Sequence, residues 1–260
     1  MPTPLEAAVD LLPGRDDLLM RLSALEAMCL ARGIRLGFHS DMRAFKRTMG
    51  AIDDKYAHVS PLLDCDTADL AHARWILGRD ARGEVVATQA FRFYPDDGAD
   101  SLERWTSLRM FYDRPEAAPA DESCVLAGRA AEANRGIRAW IRAWIHSGGT
   151  WVRKDHRGPD AHGMHLSEVL PRISRQIGME MFPAAEAVQA GCTPRLAEAG
   201  VAQRYGYRRL CPMLRHARGG QVEEFIFLWM TREEMREDAR AFHFKLSRIG
   251  APKVARRQAA

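Results

Sequence analysis

The sequence lacks any close pair of cysteines. Its five cysteines are scattered along 260 residues, odd in number and never spaced as C-x-x-C. This pattern excludes a disulfide-stapled fold and a cysteine-based zinc site, and it favours a reducing compartment such as the cytoplasm. Histidines gather between 146 and 165, but no carboxylate stands with them in a ligand pattern such as H-E-x-x-H. We therefore predict no metal site.

Long apolar runs are also missing. No segment approaches the roughly 20 apolar residues that a membrane-spanning helix needs, and the first residues show no basic region followed by an apolar run. We therefore expect a soluble, cytoplasmic protein without a membrane partner. Because 47% of the residues are hydrophobic, the chain can still bury a sizeable core.

Lysine is rare, so arginine carries most of the positive charge. The net charge of +4 is small beside 34 acidic residues, and the basic residues are spread through the chain. Together with the many alanines, this bias indicates a GC-rich bacterial genome rather than a surface for a polyanion. We therefore expect no nucleic-acid partner, and we leave open a homodimer.

Hydrophobic spacing predicts a helical N-terminal extension over 1–70. Apolar residues recur at i, i+3 and i+4 after Asp16, and Gly33 stands where that helix would end. A short strand, IRLGF, follows. Ser40 or Asp41 would then cap a second helix.

The main domain is predicted to cover 71–244 and to open with a hairpin. A charged turn separates two strand-like arms over 74–94, and the second arm is rich in β-forming residues. Prolines and acids fill the next segment, 95–122, so we expect a long connection with one short helix near 102–111.

A second hairpin and a final helix complete the predicted domain. Two strand-like runs meet at Gly219 and Gly220, which are typical hairpin-turn residues. Thr231 and Glu234 then form a capping box for the last helix. The remaining residues, 245–260, form a basic tail that we expect to be flexible.

The stretch GIRAWIRAWIH, residues 136–146, fits two structures. Helical spacing puts its isoleucines and tryptophans on one face, whereas strict alternation puts them on opposite faces. We predict a strand for the second half, because HSGGTWV must lead extended chain into a turn. Tryptophans beside arginines are typical of core packing, and a stacking surface for nucleobases is the alternative.

The stretch WVRKDHRGPDAHGMHLSEVLPRIS, residues 151–174, combines a strand, a turn containing glycine and a helix start. Such a junction is a common way to hold a phosphate, because the first free amides of a helix and its dipole both favour negative charge. Asp160 lies in the middle of this turn, and an acid is unusual beside a pyrophosphate.

The order of elements over about 74–230, together with two motifs, resembles the GNAT acyltransferase superfamily. In that family the central strand ends in V-x-P-x-x-R-G-x-G-x-G, followed by a leucine. The residues in matching places here are Val152, Arg157, Gly158, Gly163 and Leu166. The second motif, LAEAGVAQRYGYRR, is similar to the family's helix and its closing G-F. The resemblance implies an α/β (α+β) fold with a mixed, mostly antiparallel central sheet flanked by helices, behind the helical N-terminal extension.

The resemblance also implies acetyl-coenzyme A, or another acyl-coenzyme A, as co-substrate. The turn amides would hold its pyrophosphate, and the guanidinium of Arg157 would lie against the phosphates. The implied cofactor-binding residues are Val152, Arg157, Gly158, Ala161, His162, Gly163 and Met164. The sequence departs from the motif at Lys154, which replaces a proline, and at Asp160 or Ala161, which replaces a glycine. The plain alternative is a turn that uses glycine for its backbone geometry alone.

His146 and Tyr205 are the candidate catalytic residues. His146 lies near the place where many members of the family carry a glutamate that deprotonates the amine, and an imidazole titrates near neutrality. The family's usual acid is a tyrosine four residues before the closing glycine, where this sequence has Ala202; Tyr205 is the substitute three positions on. A hydrogen-bonded strand histidine and a core tyrosine are the structural alternatives. Cys192 and Cys211 are interpreted as small buried hydrophobic residues rather than nucleophiles.

The resemblance therefore implies an acyl-coenzyme A-dependent N-acyltransferase, in the simplest case an acetyltransferase. Its acceptor, a small-molecule or peptide amine, would attack the thioester directly, without a covalent enzyme intermediate. Fold does not fix the identity of that amine. The alternative is a catalytically inactive GNAT-like module that has lost its cofactor and binds a protein or a nucleic acid.

Overall fold

One mixed sheet organises the molecule. The computed structural model describes residues 3–4, 15–55, 57–126 and 142–249. Its strands are β1 (Thr3–Pro4), β2 (Arg35–His39), β3 (Ala73–Arg79), β4 (Val85–Tyr94), β5 (Ser123–Leu126), β6 (Trp144–Val152), β7 (Ala187–Cys192), β8 (Arg209–Arg218) and β9 (Gln221–Thr231). They join in the order β1-β2-β3-β4-β6-β7-β9-β8-β5, and only β6 and β7 are parallel neighbours among these strands. The mixed, mostly antiparallel sheet expected from the sequence is confirmed.

Helices flank this sheet. The described α-helices are α1 (Arg15–Ala31), α2 (Met42–Gly50), α3 (Ser101–Thr106), α4 (Leu166–Met181), α5 (Pro194–Glu198), α6 (Val201–Arg204) and α7 (Arg232–Ile249). Short 3-10 turns lie at Pro61–Leu63, Pro115–Ala117 and Lys154–His156. Within the described ranges, no helix combines the length and the apolar character needed to cross a bilayer.

Local capping signals fix several helix ends as predicted. Gly33 follows α1 in the left-handed region, with φ of 71°. Asp41 caps α2, and its carboxylate accepts from the amide of Ala44 at 3.0 Å. Before α7, the Thr231 amide donates to the Glu234 carboxylate at 2.9 Å, and the Glu234 amide donates to the Thr231 hydroxyl at 3.2 Å. The predicted capping box is confirmed.

Both predicted hairpins are present. β3 and β4 form the first, and β8 and β9 form the second across Gly219 and Gly220, which both have positive φ. The second half of the ambiguous 136–146 stretch is extended as predicted, since β6 begins at Trp144. The first half, up to residue 141, lies outside the described residues.

Two predicted helix ends differ from the structure. α3 ends at Thr106, short of the predicted 111, because Leu108 adopts a φ of 62° that no right-handed helix contains. α7 runs past the predicted end to Ile249, and Leu246 in that extra turn packs against the core. The rest of the predicted tail, 250–260, lies outside the described residues.

The predicted domain boundary at residue 70 stays a prediction. β2 lies on the N-terminal side of that boundary, yet it pairs with β3 along its whole length, with Leu36 opposite Gly78. Residues 35–39 therefore belong to the same sheet as the rest of the fold.

Apolar residues cover both faces of the sheet. On one face the long helix α4 supplies Leu170, Ile173 and Ile177, all fully buried, and α1 and α7 pack beside it. On the other face, residues from α2 and from the connection after β4 meet strand tryptophans; among them are Phe45, Trp75, Trp105, Phe111 and Trp144. Side chains of successive strand residues alternate between these two cores.

A buried ion network ties α4 to α7. Arg172 donates to Asp238 through Nε and Nη2, both at 2.9 Å, and Arg175 donates to the same carboxylate at 3.1 Å. Arg175 is only 1% exposed. The two guanidinium groups also bond the carbonyls that end α6, Arg172 to Arg204 at 2.6 Å and Arg175 to Tyr205 at 2.5 Å. One carboxylate thus holds three helices together.

We expect Asp238→Ala to lower the free energy of unfolding by about 3–5 kcal/mol, because it leaves two buried guanidinium groups without their counter-charge. Urea denaturation measures this change. The matched control is Glu237→Ala at the neighbouring position, where an exposed carboxylate pairs with Arg208 at 3.2 Å. That control should cost no more than about 1 kcal/mol. Similar losses in both variants would contradict the role given to Asp238.

Candidate active site

β6 and β7 pair briefly and then separate. Pairing joins Trp144–His146 to Ala187–Gln189, although β6 continues to Val152 and β7 to Cys192. Parallel strands that part in this way leave N–H and C=O groups on their facing edges without sheet partners. An extended ligand can bind such edges through main-chain hydrogen bonds.

Backbone irregularities lie at the level where β6 leaves β7. Gly149 has a φ of 62°, and an added Cβ would meet Phe45 at 3.0 Å and Leu63 at 3.1 Å. Only glycine fits this position without a shift of the core. Across the sheet, the pairing of β6 with β4 changes register between Thr88 and Ala90. Such a bulge bends the strands that carry it.

A cavity of about 460 Å³ opens at this gap. One of its walls is largely apolar and includes Leu62, Trp105, Phe111, Phe225 and Phe227. Its polar lining includes His146, Thr150, Tyr205, His216 and Arg218. The structure therefore brings both predicted catalytic residues to one cavity. An apolar pocket with a few converging polar groups is the usual form of a small-molecule site.

Tyr205 keeps its proton in this cavity. Removal from bulk water raises the pKa of the phenol to about 12, although a contact with the Thr150 hydroxyl acts in the opposite direction. Thr150 in turn donates to the side-chain oxygen of Gln89. The Gln89 amide donates to the Ser147 hydroxyl at 3.1 Å and to the Gly148 carbonyl at 3.0 Å. A connected polar chain therefore supports a phenol that can act as a proton donor.

His146 is neutral because it is buried. The residue is 4% exposed, and burial together with the positive charge of Arg92 lowers its pKa to about 3. Its Nδ1 atom is buried and has no hydrogen-bond partner in the described part of the chain, and the ring lies edge-on to Trp105. The expectation that this imidazole titrates near neutrality is not met, and so low a pKa makes it a weak base.

The side chain of Asp160 closes the turn between β6 and α4. The Asp160 carboxylate accepts from the amides of His162 at 2.8 Å and Met164 at 2.9 Å, and its main-chain carbonyl accepts from Gly163 at 3.0 Å. Ala161, next to them, is exposed. Three of the amides predicted to hold a pyrophosphate are therefore already bonded. The carboxylate thus fixes the turn that precedes α4.

The side chain predicted to lie against phosphates is also engaged. Arg157 donates to the Val152 carbonyl at 2.7 Å and to the Asp54 carboxylate at 2.5 Å. Arg32, just beyond α1, donates to the Gly158 carbonyl at 3.2 Å. The turn is thus fixed by contacts within the protein, and Val152 itself is buried in the core.

One group of side chains has the proximity that a metal site needs. Within the described ranges, the ligand atoms of Asp64, Cys65 and Asp66 lie within 4.8 Å of one another. The ammonium group of Lys46 bonds both carboxylates, at 2.6 Å to Asp64 and 2.5 Å to Asp66. The lysine therefore already supplies a positive charge to these acids.

A buried carboxylate and a histidine meet at the cavity wall, and no sequence motif pointed to them. Glu122 Oε1 lies 2.8 Å from His216 Nε2, and Glu122 Oε2 accepts from the Tyr112 hydroxyl at 2.5 Å. Burial and this carboxylate raise the pKa of Tyr112 to about 12. The contact forms because β5 pairs with β8, with Cys124 opposite His216. The contact between Glu122 and His216 follows from the pairing of β5 with β8, and no spacing in the sequence could have predicted it.

Comparisons with known proteins give a similarity of fold. No family model matches the sequence, and no curated protein matches it. The GNAT domain of PAT from S. lividans is 13% identical, with a TM-score of 0.39 over 76% of this chain and 90% of that one. The aminoglycoside acetyltransferase AAC(6')-Ib, solved with coenzyme A and kanamycin, is 10% identical, with a TM-score of 0.42 over 78% and 98%. The spermidine/spermine N-acetyltransferase SpeG of Vibrio cholerae is 6% identical, with a TM-score of 0.39 over 79% and 98%.

Removing His146 should make the fold less sensitive to acid. Its pKa is about 3 in the folded protein against 6.5 ordinarily, so between these values the unfolded chain binds a proton that the folded chain does not. Stability from this group is complete above pH 6.5 and is lost as the pH falls toward 3, by up to about 1.4 kcal/mol per pH unit. We expect His146→Gln to reduce the slope of the unfolding free energy against pH in this window, measured by urea denaturation.

The control for this experiment is His162→Gln, since His162 is exposed in the turn before α4. It should leave the slope unchanged. The same slope in both variants would show that His146 is not held neutral by burial.

Proposed function

We propose that the protein is an acyl-coenzyme A-dependent N-acyltransferase of the GNAT type, which transfers an acetyl or longer acyl group to an amine by direct attack. The observation that carries this proposal is the cavity where β6 and β7 part, with the protonated Tyr205 beside two open strand edges. The turn and the long helix α4 that follow the central strand β6 also support it.

The open edges fit the extended arm of acyl-coenzyme A. That arm carries amide groups, which can bond main-chain N–H and C=O groups along β6 and β7. Bound there, the coenzyme supplies an acyl group activated as a thioester. The pyrophosphate fits less well, since the Asp160 carboxylate must first release the amides of His162 and Met164.

The phenol of Tyr205 is suited to protonate a leaving thiolate. Burial raises the pKa of a thiol in the same cavity too, to about 11 for Cys192 against about 12 for this phenol, so a thiolate formed here is close to the phenol in proton affinity. Neither Tyr205 nor His146 needs to form a covalent bond in such a reaction. The neutral His146 contributes a polar surface to the cavity, since its low pKa makes proton abstraction at neutral pH inefficient.

The acceptor that fits this cavity is an amine with an apolar body. Trp105, Phe111 and Phe227 form an aromatic wall that would cover such a body. We infer that the protein works in the cytoplasm, because Cys29, Cys65, Cys124 and Cys192 are free thiols.

Tyr205→Phe should lower kcat by about 10² to 10⁴ while the affinity for acetyl-coenzyme A is unchanged, because the substitution removes only the proton donor. The rate is followed by thiol release from acetyl-coenzyme A in the presence of a panel of amines, with mass spectrometry of the products. The matched control is Tyr207→Phe, two residues on, where the phenol is buried in the core. An equal loss in both variants would indicate structural damage rather than a lost acid.

Asp160→Ala should tighten the binding of coenzyme A by at least about tenfold, or about 1.4 kcal/mol, because it frees two amides and removes a negative charge. Asp160→Asn separates these effects, since its amide oxygen still accepts from the same N–H groups. Asp160→Asn should therefore give a smaller gain in affinity for coenzyme A. That gain should shrink as the salt concentration rises, because exposed charges are screened over about 8 Å at physiological ionic strength. Calorimetry on the three proteins is the measurement.

The result of this titration also bears on the alternative function. Binding that weakens in Asp160→Ala would show that the coenzyme does not use this turn. If neither the wild type nor the variants bind coenzyme A, the protein is a GNAT-like module without its cofactor.

A further inference from the structure

Glu122 is a buried charge held by several partners. Its side chain is fully buried and contacts His216 at 2.8 Å, Tyr112 at 2.5 Å and the Nε of Arg218 at 3.5 Å. Burying a carboxylate costs several kcal/mol unless it is paired and hydrogen-bonded. Here each carboxylate oxygen of Glu122 has a defined partner, so the carboxylate is fixed relative to the histidine ring.

The ring of His216 is fixed by two further features of the same site. Phe111 stacks on it, with ring centroids 4.7 Å apart and planes 15° from parallel. Nε2 points to Glu122, and no hydrogen bond to Nδ1 is found within the part of the chain that the structure describes. In the tautomer whose Nε2–H donates a hydrogen bond to the Glu122 carboxylate, the lone pair lies on Nδ1.

His216 lines the same cavity as Tyr205 and the aromatic wall. The other charged side chains on this part of the lining are Arg218 and Glu223, and Glu223 stands opposite His216 in the β8–β9 pairing. His146 also lines the cavity, but within the described ranges no carboxylate bonds its ring, and its pKa is about 3. Of the three histidines that line the cavity, which include the exposed His58, only His216 contacts a carboxylate among the described residues.

Resting on the function proposed above, we propose that His216, oriented by Glu122, is the catalytic base that takes the proton of the acceptor amine. The amine nitrogen forms a bond to the thioester carbonyl carbon, and its proton passes to Nδ1 of His216. The C–S bond then breaks, and the thiolate takes the proton of Tyr205. The imidazolium that forms is stabilised by the Glu122 carboxylate.

This assignment divides the cavity between two proton-transfer groups. The base comes from β8, and the acid comes from the segment between α6 and β8. The amine nitrogen would therefore lie on the β8 side, with its apolar body against Phe111 and Phe227. Glu122 is a positioning residue, since it contacts the histidine but is not among the residues that line the cavity.

The test compares the wild type with His216→Ala, Glu122→Gln and a control, Arg215→Ala. Arg215 precedes His216 in the same strand and pairs with Glu224 on the surface. Transfer from acetyl-coenzyme A is measured with 2-phenylethylamine, tryptamine and spermidine, and acetyl-coenzyme A affinity is measured by calorimetry. We expect His216→Ala to lower kcat by about 10² to 10⁴ with unchanged acetyl-coenzyme A affinity, and added imidazole to restore part of the rate with saturation. Arg215→Ala should keep the wild-type rate.

A second measurement does not depend on turnover. In spectra of protein labelled with ¹⁵N-histidine, His216 should show a proton on Nε2 and none on Nδ1. Adding 2-phenylethylamine should shift the Nδ1 signal, and Glu122→Gln should change the ratio of the two tautomers.

The outcomes separate this inference from the proposed function. If the wild type acetylates an amine and His216→Ala keeps most of the rate, or if imidazole restores nothing, His216 is not the base while the proposed function stands. If the wild type binds acetyl-coenzyme A but acetylates none of the three amines and shows no shift of Nδ1, the acceptor site and the base are both wrong. If the wild type does not bind acetyl-coenzyme A, the proposed function itself fails, and this inference fails with it.

Discussion

The carboxylate of Asp238 holds α4, α7 and the end of α6 together. It neutralises Arg172 and Arg175, which are almost fully buried on α4. Through these two arginines it also fixes the chain that follows α6. The chain passes so close that a Cβ on Gly206 would lie 2.5 Å from this carboxylate. Tyr205 precedes that glycine, and its carbonyl is bonded by Arg175. The ion network therefore fixes the main chain at Tyr205, whose side chain lines the cavity.

Burial in the cavity favours the neutral form of each group with a shifted pKa. The phenol of Tyr205 and the thiol of Cys192 keep their protons, with pKa values of about 12 and about 11, whereas His146 loses its proton, with a pKa of about 3. Desolvation is the largest cause in all three cases. Such an environment favours an amine without charge, which is the form that has a lone pair for attack.

Local signals in the sequence predicted most of the elements. Caps such as Asp41 and the Thr231–Glu234 box, and hairpin turns such as Gly219–Gly220, act over a few residues, so their effect could be predicted from the sequence. The closure of the turn by Asp160 is also local, because its carboxylate bonds amides two and four residues on. That closure explains the acid at this position, since its carboxylate bonds the amides of the turn itself.

The parts that the sequence could not predict depend on long-range packing. The joint placement of His146 and Tyr205 was suggested by resemblance, but the low pKa of His146 depends on burial that only the assembled cores produce. Glu122 and His216 are 94 residues apart and meet through strand pairing. The positive φ of Leu108 that ends α3 early is likewise not encoded by a turn-forming residue.

The position of Glu122 has a consequence for how activity and stability are related. It directly precedes β5, which is the last strand in the sheet order and pairs with β8 over four positions. A short outer strand opens at a lower free-energy cost than the strands at the centre of a sheet. Such an opening would hydrate Glu122, expose Cys124 and release the ring of His216, while the core against α4 stayed intact. Warming would then inactivate the proposed base at temperatures where most spectroscopic signals still report a folded molecule.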